Sequence, residues 1–402
     1  MPHRFFRDEQ FDFETKTALG AVYYGCGDVG EILATAARIR DGHDESWTAE
    51  WIGLATRVRA IAEGCARNGR RVSAREAFLR AAAYYANTFN VILRNPKLED
   101  DLLPSFTAHR QCFDEFCALS DTPVDRLEIP YAGTTMPAYL LRPDASGGPH
   151  PVLLVTNGSD GPITWAYSAG AVAALRRGYA VLLYDGPGQQ SMLFEKHIHF
   201  RPDWEAVIGP VIDLLERRAD VDPAAIALLG TSQAGFWVTR AAAFEHRPAA
   251  AVADPGVVDV STSWLERLPA GMKTQLAEGR QKEFDRNMKI GMMFSREQRA
   301  VFAFRARPYG TPDAFEVYRQ VVGYRLDPDT VGSIACPMLI TDPEGEQFWP
   351  GQSQQLYEML PGKKDIVRFT AAEGAGLHCQ PMGRSLTDQR VFDWLDATFR
   401  RP

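Results

Sequence analysis

A chain of 402 residues that is 45% hydrophobic, 24% charged and 11% aromatic has enough apolar material for one large folded domain plus a second, and it lacks the composition of a disordered chain. The net charge of −7, with no basic block, excludes a surface built to track phosphates, so nucleic acid is not an expected partner. No window approaches 18 uncharged apolar residues and the start, MPHRFFRDEQ, has no apolar run, so neither a membrane span nor a secretory leader is expected and the cytoplasm is the expected compartment. Six cysteines at 26, 65, 112, 117, 336 and 379 lack CxxC spacing and read as reduced, mostly buried thiols, with no metal site expected.

Residues 28–118 carry helical periodicity. Ile32, Leu33, Ala36, Ala37 and Ile39 form one apolar face, and Trp47, Trp51, Leu54, Ala55 and Val58 form another. Ser73 and Glu76 have capping-box spacing and are expected to open a helix through Phe78, Ala82, Tyr85 and Phe89; after Pro96 and the acidic residues 99–101, QCFDEFCALS resumes a short helix. An amino-terminal helical domain over residues 1–120 is therefore expected, followed by a catalytic domain over 121–402. VDRLEI and MPAYLLRP, around the turn at Ala132 and Gly133, predict a hairpin. Then PVLLVT, AVLLYD, IALLG and AAVAD alternate with helical stretches near 165–177, 204–218 and 233–246. Short apolar strands separated by helices are the sign of a parallel sheet covered on both faces. The alternation stops near Val257 and resumes at CPMLIT, which makes residues 258–330 a helical cap insertion; its methionines read chiefly as core filling. KDIVRFT and a helix over 385–399 complete the pattern.

In open α/β sheets the reacting groups gather at the carboxyl ends of strands. There LLGTSQAGFW puts Ser232 between a strand and a helix, with Gly230 and Ala234 small enough for a tight turn and Gly235 one step later. The Gln233 N–H at the helix start is placed to hold an oxyanion, and the loop NGSDG, through the Ser159 N–H, is placed to supply a second donor. His378, in the glycine-rich EGAGLHCQ, is the expected base. His3, His43, His109 and His150 lie in polar or turn contexts, His246 in the last turn of a helix, and His197 and His199 share a strand face without a third ligand. For the acid, a strand, a short loop and a proline four residues on favour Glu346 before Pro350, with Asp342 second and Asp254 third. DGPGQQ lacks phosphate-loop spacing, so no cofactor is expected.

The elbow, DGPGQ, EQFWPGQSQQLYE, EGAGLHCQ and VSAREAFLRAAAYY together resemble α/β-hydrolases that carry a helical domain ahead of the catalytic one, such as 2,6-dihydroxypseudooxynicotine hydrolase and the fungal heptaketide hydrolase of pigment synthesis. The resemblance implies the α/β-hydrolase fold, cleavage of carbon–carbon bonds next to ketones, a Ser232, His378, Glu346 triad and, by analogy, a homodimer. Three positions depart from the pattern: Glu346 stands where aspartate is usual, Gln190 where glycine closes the DGPGQG loop, and Ala234 in the elbow. The expected activity is serine hydrolysis of an acyl C–C or ester bond in a small hydrophobic, aromatic or polyketide-like substrate. Acyl transfer or cyclisation at the same serine, or ligand binding without catalysis, are the alternatives. Neither nucleic acid nor membrane is an expected partner.

Overall fold

In the computed structural model, which describes residues 4–400, the central strands are largely apolar for a reason visible in the layering. The strands are β1 (Val124–Tyr131), β2 (Thr134–Leu141), β3 (His150–Thr156), β4 (Ala180–Tyr184), β5 (Val221–Thr231), β6 (Ala250–Asp254), β7 (Met338–Pro343) and β8 (Lys364–Phe369). They form one sheet in the order β1-β2-β4-β3-β5-β6-β7-β8; β2 pairs antiparallel with β1 and β4, and all other neighbours are parallel. All of β3, β4 and β6 is buried. Because successive side chains of a strand point to opposite faces, Val152 and Leu154 join one core with Leu182 and Leu228, while Leu153 and Val155 join another with Leu183 and Leu229.

The two faces are covered by different parts of the chain. On the first lie the helices Glu205–Glu216 and Ala234–Phe244, together with the insertion, which contributes Trp264, Phe284 and Phe315. On the second lie the amino-terminal helices, through Trp47, Trp51 and Phe78, and the last helix Arg384–Thr398, through Val391, Phe392 and Leu395. The insertion is helical as expected, with Gln281–Phe294 and Arg296–Ala306 as its longest pieces. Of its methionines, Met272 and Met288 pack against the core, whereas Met293 is 65% exposed.

Several local expectations need correction. A helix at Glu9–Ala21, capped by the Asp8 carboxylate on the Phe11 N–H, precedes the region read as helical. Ser73 is not a cap: the left-handed Gly69 reverses the chain and the helix starts at Arg71. The segment QCFDEFCALS is the end of a longer helix, Leu102–Ala118, in which His109 is fully buried with Nδ1 2.8 Å from Ala82 O, and burial pushes its ring down to about 3. The helix before His246 ends at Phe244, and His197 lies outside any strand.

The amino-terminal helices are tied to the sheet by polar as well as apolar contacts. Phe89, Phe106 and Leu102 pack with Leu193 and Phe194 after β4. Beside them Arg110 Nη1 lies 3.2 Å from Asp185 Oδ2, which also accepts from Ser191 Oγ at 2.6 Å. Asp185 is 1% exposed, so removing its cation leaves a buried charge. Arg110→Met should therefore destabilise the protein by about 3–5 kcal/mol in denaturant titration, and Arg110→Met with Asp185→Asn should recover much of that loss.

Candidate active site

The site begins with a backbone constraint. β5 runs straight into the helix Ala234–Phe244 with only Ser232 and Gln233 between them, and Ser232 makes the turn at φ +58°, a left-handed value rare for a residue with a side chain. So tight a turn brings the two backbones together: a Cβ on Gly230 would lie 2.2 Å from Ala234 O. The methyl of Ala234 itself is fully buried and accommodated. Gly235 has its own reason, since a Cβ there would lie 2.0 Å from Pro255 O. The Ser232 N–H donates to Asp254 O at 2.6 Å, which fastens the turn to the end of β6.

His378 reaches this serine from the loop after β8. Its Nε2 is 2.9 Å from Ser232 Oγ and its Nδ1 is 2.7 Å from Glu346 Oε2. The other carboxylate oxygen, Oε1, accepts the N–H groups of Phe348 at 2.9 Å and Trp349 at 3.2 Å, so the loop that carries Glu346 also aims it. The two other carboxylates considered for this position stand elsewhere. Asp342 pairs with Arg368 at 2.8 Å. Asp254 accepts from Thr341 Oγ1 at 2.5 Å and Gln380 Nε2 at 3.0 Å. Neither is bonded to the imidazole.

Ser159 lines the same cavity as Ser232 and Gln233, in the loop after β3. How closely that loop approaches is shown by Gly158, where a Cβ would lie 2.7 Å from the Ser232 Cβ. The loop is held by Gln189: its Nε2 donates to Asn157 O at 2.6 Å and Gly158 O at 3.0 Å, while its Oε1 accepts from Gly186 N. This is the work of the DGPGQQ segment, which holds the loop after β3 by both carbonyls. Gln190, in the family's glycine position, keeps positive φ at +28° and donates to Asp160 O at 3.1 Å.

Electrostatics distinguish the histidine and the acid. Burial opposes charge on Glu346, but the His378 ring and the two backbone donors outweigh it and hold the carboxyl below the usual range. Burial likewise opposes charge on His378, yet Cys379 and Glu346 raise it well above the ordinary histidine value. Burial pushes the Cys379 thiol up to about 11, so at neutral pH it is uncharged and the carboxylate is the partner that acts. Among the described residues, no cluster of three His, Cys, Asp or Glu side chains is placed to hold a metal.

Two cavities meet at Ser232 and His378. The first lies under the insertion and is walled by Trp264, Phe304, Tyr309, Phe348 and Trp349, with no methionine. The second runs between the sheet and the amino-terminal helices, past Phe13, Thr17, Ala83 and Trp165. Sequence reasoning missed Phe13 and Glu14 because the charged start hid their helix; the signal was Asp8 as a cap before Phe11, Thr15 and Ala18, the buried face. It also missed Arg305 and Tyr309, whose approach to the serine depends on how the insertion folds back.

Residues 132–367 match the family described as X-Pro dipeptidyl-peptidase (S15 family). The chain belongs to the S15 family of hydrolases. Across its whole length it is similar to fungal proteins: 31% identical over 423 residues to Hydrolase ORFZ of Pyricularia oryzae, and 30% identical over 417 residues to 20-hydroxy-prefusarin hydrolase FUS2 of Gibberella moniliformis, each covering 99% of this chain and 98% of the relative. The fold is shared with 2,6-dihydroxy-pseudo-oxynicotine hydrolase, with a TM-score of 0.69 at 21% identity over 94% of both chains, and with AbyA5, with a TM-score of 0.62 at 18% identity over 92% of this chain and 94% of that one. The chain is thus an α/β-hydrolase with amino-terminal helices, and no described helix is long and apolar enough to cross a membrane.

A histidine must be neutral to accept a proton, so a raised His378 predicts that ester hydrolysis falls as pH drops through an apparent pKa above 6.5. Glu346→Gln should move that limb to lower pH, because the stabilising carboxylate is gone, and should cut kcat by roughly 10^4-fold through loss of the correct tautomer. Asp342→Asn should do neither. The pH–rate profiles of the three proteins decide the point.

Proposed function

We propose that the chain is a serine hydrolase that cleaves an acyl C–C or C–O bond in a hydrophobic, aromatic or polyketide-like ketone or ester. The observation that carries this reading is the unbroken series Ser232 Oγ, His378 Nε2, His378 Nδ1, Glu346 Oε2, with successive contacts of 2.9 and 2.7 Å, opening into a cavity walled by aromatic rings.

In the first step the Ser232 oxygen bonds to the substrate carbonyl carbon while its proton passes to His378 Nε2. The carbonyl oxygen becomes an oxyanion held by the N–H groups of Gln233 and Ser159, each contributing about 3 kcal/mol, with the positive end of the helix Ala234–Phe244 behind Gln233. Collapse re-forms the carbonyl and breaks the bond to the leaving group, which takes the proton from His378. If that group is carbon it departs as an enolate, so a ketone must lie beside the broken bond. Water, deprotonated by His378, then releases the acid and regenerates Ser232. Glu346 fixes the ring and stabilises the imidazolium.

Support for a small-molecule substrate comes from whole-length similarity to proteins such as 20-hydroxy-prefusarin hydrolase, whereas the match to the dipeptidyl-peptidase family leaves out the amino-terminal helices that wall the second cavity. The test is labelling by a fluorophosphonate together with turnover of aryl esters and 1,3-diketones. Labelling should map to Ser232 and fall sharply in His378→Ala, and Ser232→Ala should lower turnover by roughly 10^4-fold or more. Products should gain one water; products of unchanged mass would instead assign cyclisation, and label bound elsewhere would refute the nucleophile.

A further inference from the structure

The aromatic cavity contains a cation with no ion-pair partner among the described residues. Arg305, on the helix Arg296–Ala306, lines the cavity with Ser232, and its guanidinium stacks over Trp264 at 5.4 Å and Phe348 at 5.9 Å. Its hydrogen bond is from Nη1 to Ser263 O at 3.1 Å, and among the described residues no carboxylate lies within ion-pair distance. Two residues on, Arg307 shows the ordinary arrangement, with both Glu99 oxygens at 2.7 Å. The carboxyl in the same cavity that acts on Arg305 is Asp160, which is engaged by Ser159 Oγ and Asn90 Nδ2 and raised by burial; exposed Arg267 adds a like charge that disfavours the guanidinium further. Burial lowers Arg305 as well, but a guanidinium remains charged at neutral pH.

Unsatisfied donors line the same cavity. Gln233 and Tyr309, 5% and 4% exposed, line the cavity close enough to each other to interact, yet neither Gln233 Nε2 nor the Tyr309 hydroxyl has a hydrogen bond of acceptable geometry. Burial pushes the Tyr309 hydroxyl up, so it is a neutral O–H donor. Leaving buried polar groups unpaired is costly, and a folded protein tolerates it where a ligand completes them. One orphan has the opposite sign: Gln190 Oε1, in a residue held at positive φ, is an acceptor that suits a hydroxyl on the same ligand.

We propose that this cavity is an anion subsite in which Arg305, Gln233 Nε2 and the Tyr309 hydroxyl bind a planar two-oxygen anion of the substrate, a carboxylate or the enolate of a 1,3-diketone. The inference rests on the serine-hydrolase reading and narrows it: the acyl part of the substrate is aromatic or aliphatic in body and acidic at its tip. A guanidinium fork matches two coplanar oxygens, and an aromatic wall excludes the water that would weaken the pairing.

The test compares two nearly isosteric probes, mono-4-nitrophenyl adipate and 4-nitrophenyl hexanoate. The wild-type kcat/KM should favour the anionic ester by about tenfold or more, Arg305→Gln should bring the ratio near one, and Arg305→Lys should retain part of it. A wild-type ratio at or below one, or an equal loss on both esters in Arg305→Gln, overturns the inference. Competition on the wild-type protein separates the two sources. Inhibition by 4-phenylbutanoate assigns the carboxylate, inhibition by benzoylacetone that strengthens as pH rises through that diketone's own ionisation assigns the enolate, and no inhibition by either overturns the subsite. Fluorophosphonate labelling keeps the readings apart: a protein that labels at Ser232 and cleaves the neutral ester without anion preference loses only the subsite, whereas one that neither labels nor cleaves loses the hydrolase reading itself.

Discussion

The turn at Ser232 is the constraint on which the remaining geometry depends. A strand that ends and a helix that begins two residues later can be joined only if one residue takes left-handed φ and the flanking positions keep their side chains out of the way. Such strain costs on the order of 1–3 kcal/mol and persists because its surroundings leave no alternative. Here they are the Ser232 N–H bonded to Asp254 O, Gly230 against Ala234 O, and Gly235 against Pro255 O. The turn exposes Oγ at the carboxyl edge of the sheet and presents the first N–H groups of a helix beside it. Every other group of the site has its position relative to that edge.

The supporting contacts are arranged around the same edge. Gln189 binds the two carbonyls of the loop after β3, Glu346 is aimed by the backbone of its own loop, and Asp254 receives Thr341 and Gln380 from the strand and loop beside it. Asp254 is thus a buried hub rather than an acid for the imidazole, and Asp342 is neutralised by Arg368. What places Glu346 against His378 is backbone pairing of their loops. Gly345 bridges Leu377 in parallel and its N–H donates to Gly376 O at 2.7 Å, so the residues that follow, Glu346 and His378, come side by side with Oε2 2.7 Å from Nδ1.

The two cavities that meet at the serine are made by segments distant in sequence from it and from each other. One is walled by the insertion and the other by the amino-terminal helices, so a substrate that spans the serine would contact both. The polarity of the first is set by Arg305 and the unpaired Gln233 and Tyr309. Both walls lie outside the strand–helix alternation common to such sheets, which leaves each free to change substrate preference without disturbing the elbow.

Strands, helices and the order serine, acid, histidine were legible in the chain because each rests on a local signal: apolar runs of strand length, helical periodicity, and small residues around Ser232. The cap at Ser73 and the start of the first helix were misread, since a turn at Gly69 and a single Asp8 cap decide those boundaries and neither interrupts the apolar pattern. Three carboxylates near the end of β6 and β7 had the right chemistry, and sequence spacing favoured Glu346 without excluding the others. By itself the sequence determined the covered parallel sheet and the tight strand-to-helix turn at Ser232, because both follow from side-chain size and periodicity along a few consecutive residues. Which carboxylate meets His378, and that Arg305 enters the cavity without an ion-pair partner among the described residues, only the tertiary structure decided, because both depend on where loops and helices separated by tens of residues come to rest against one another.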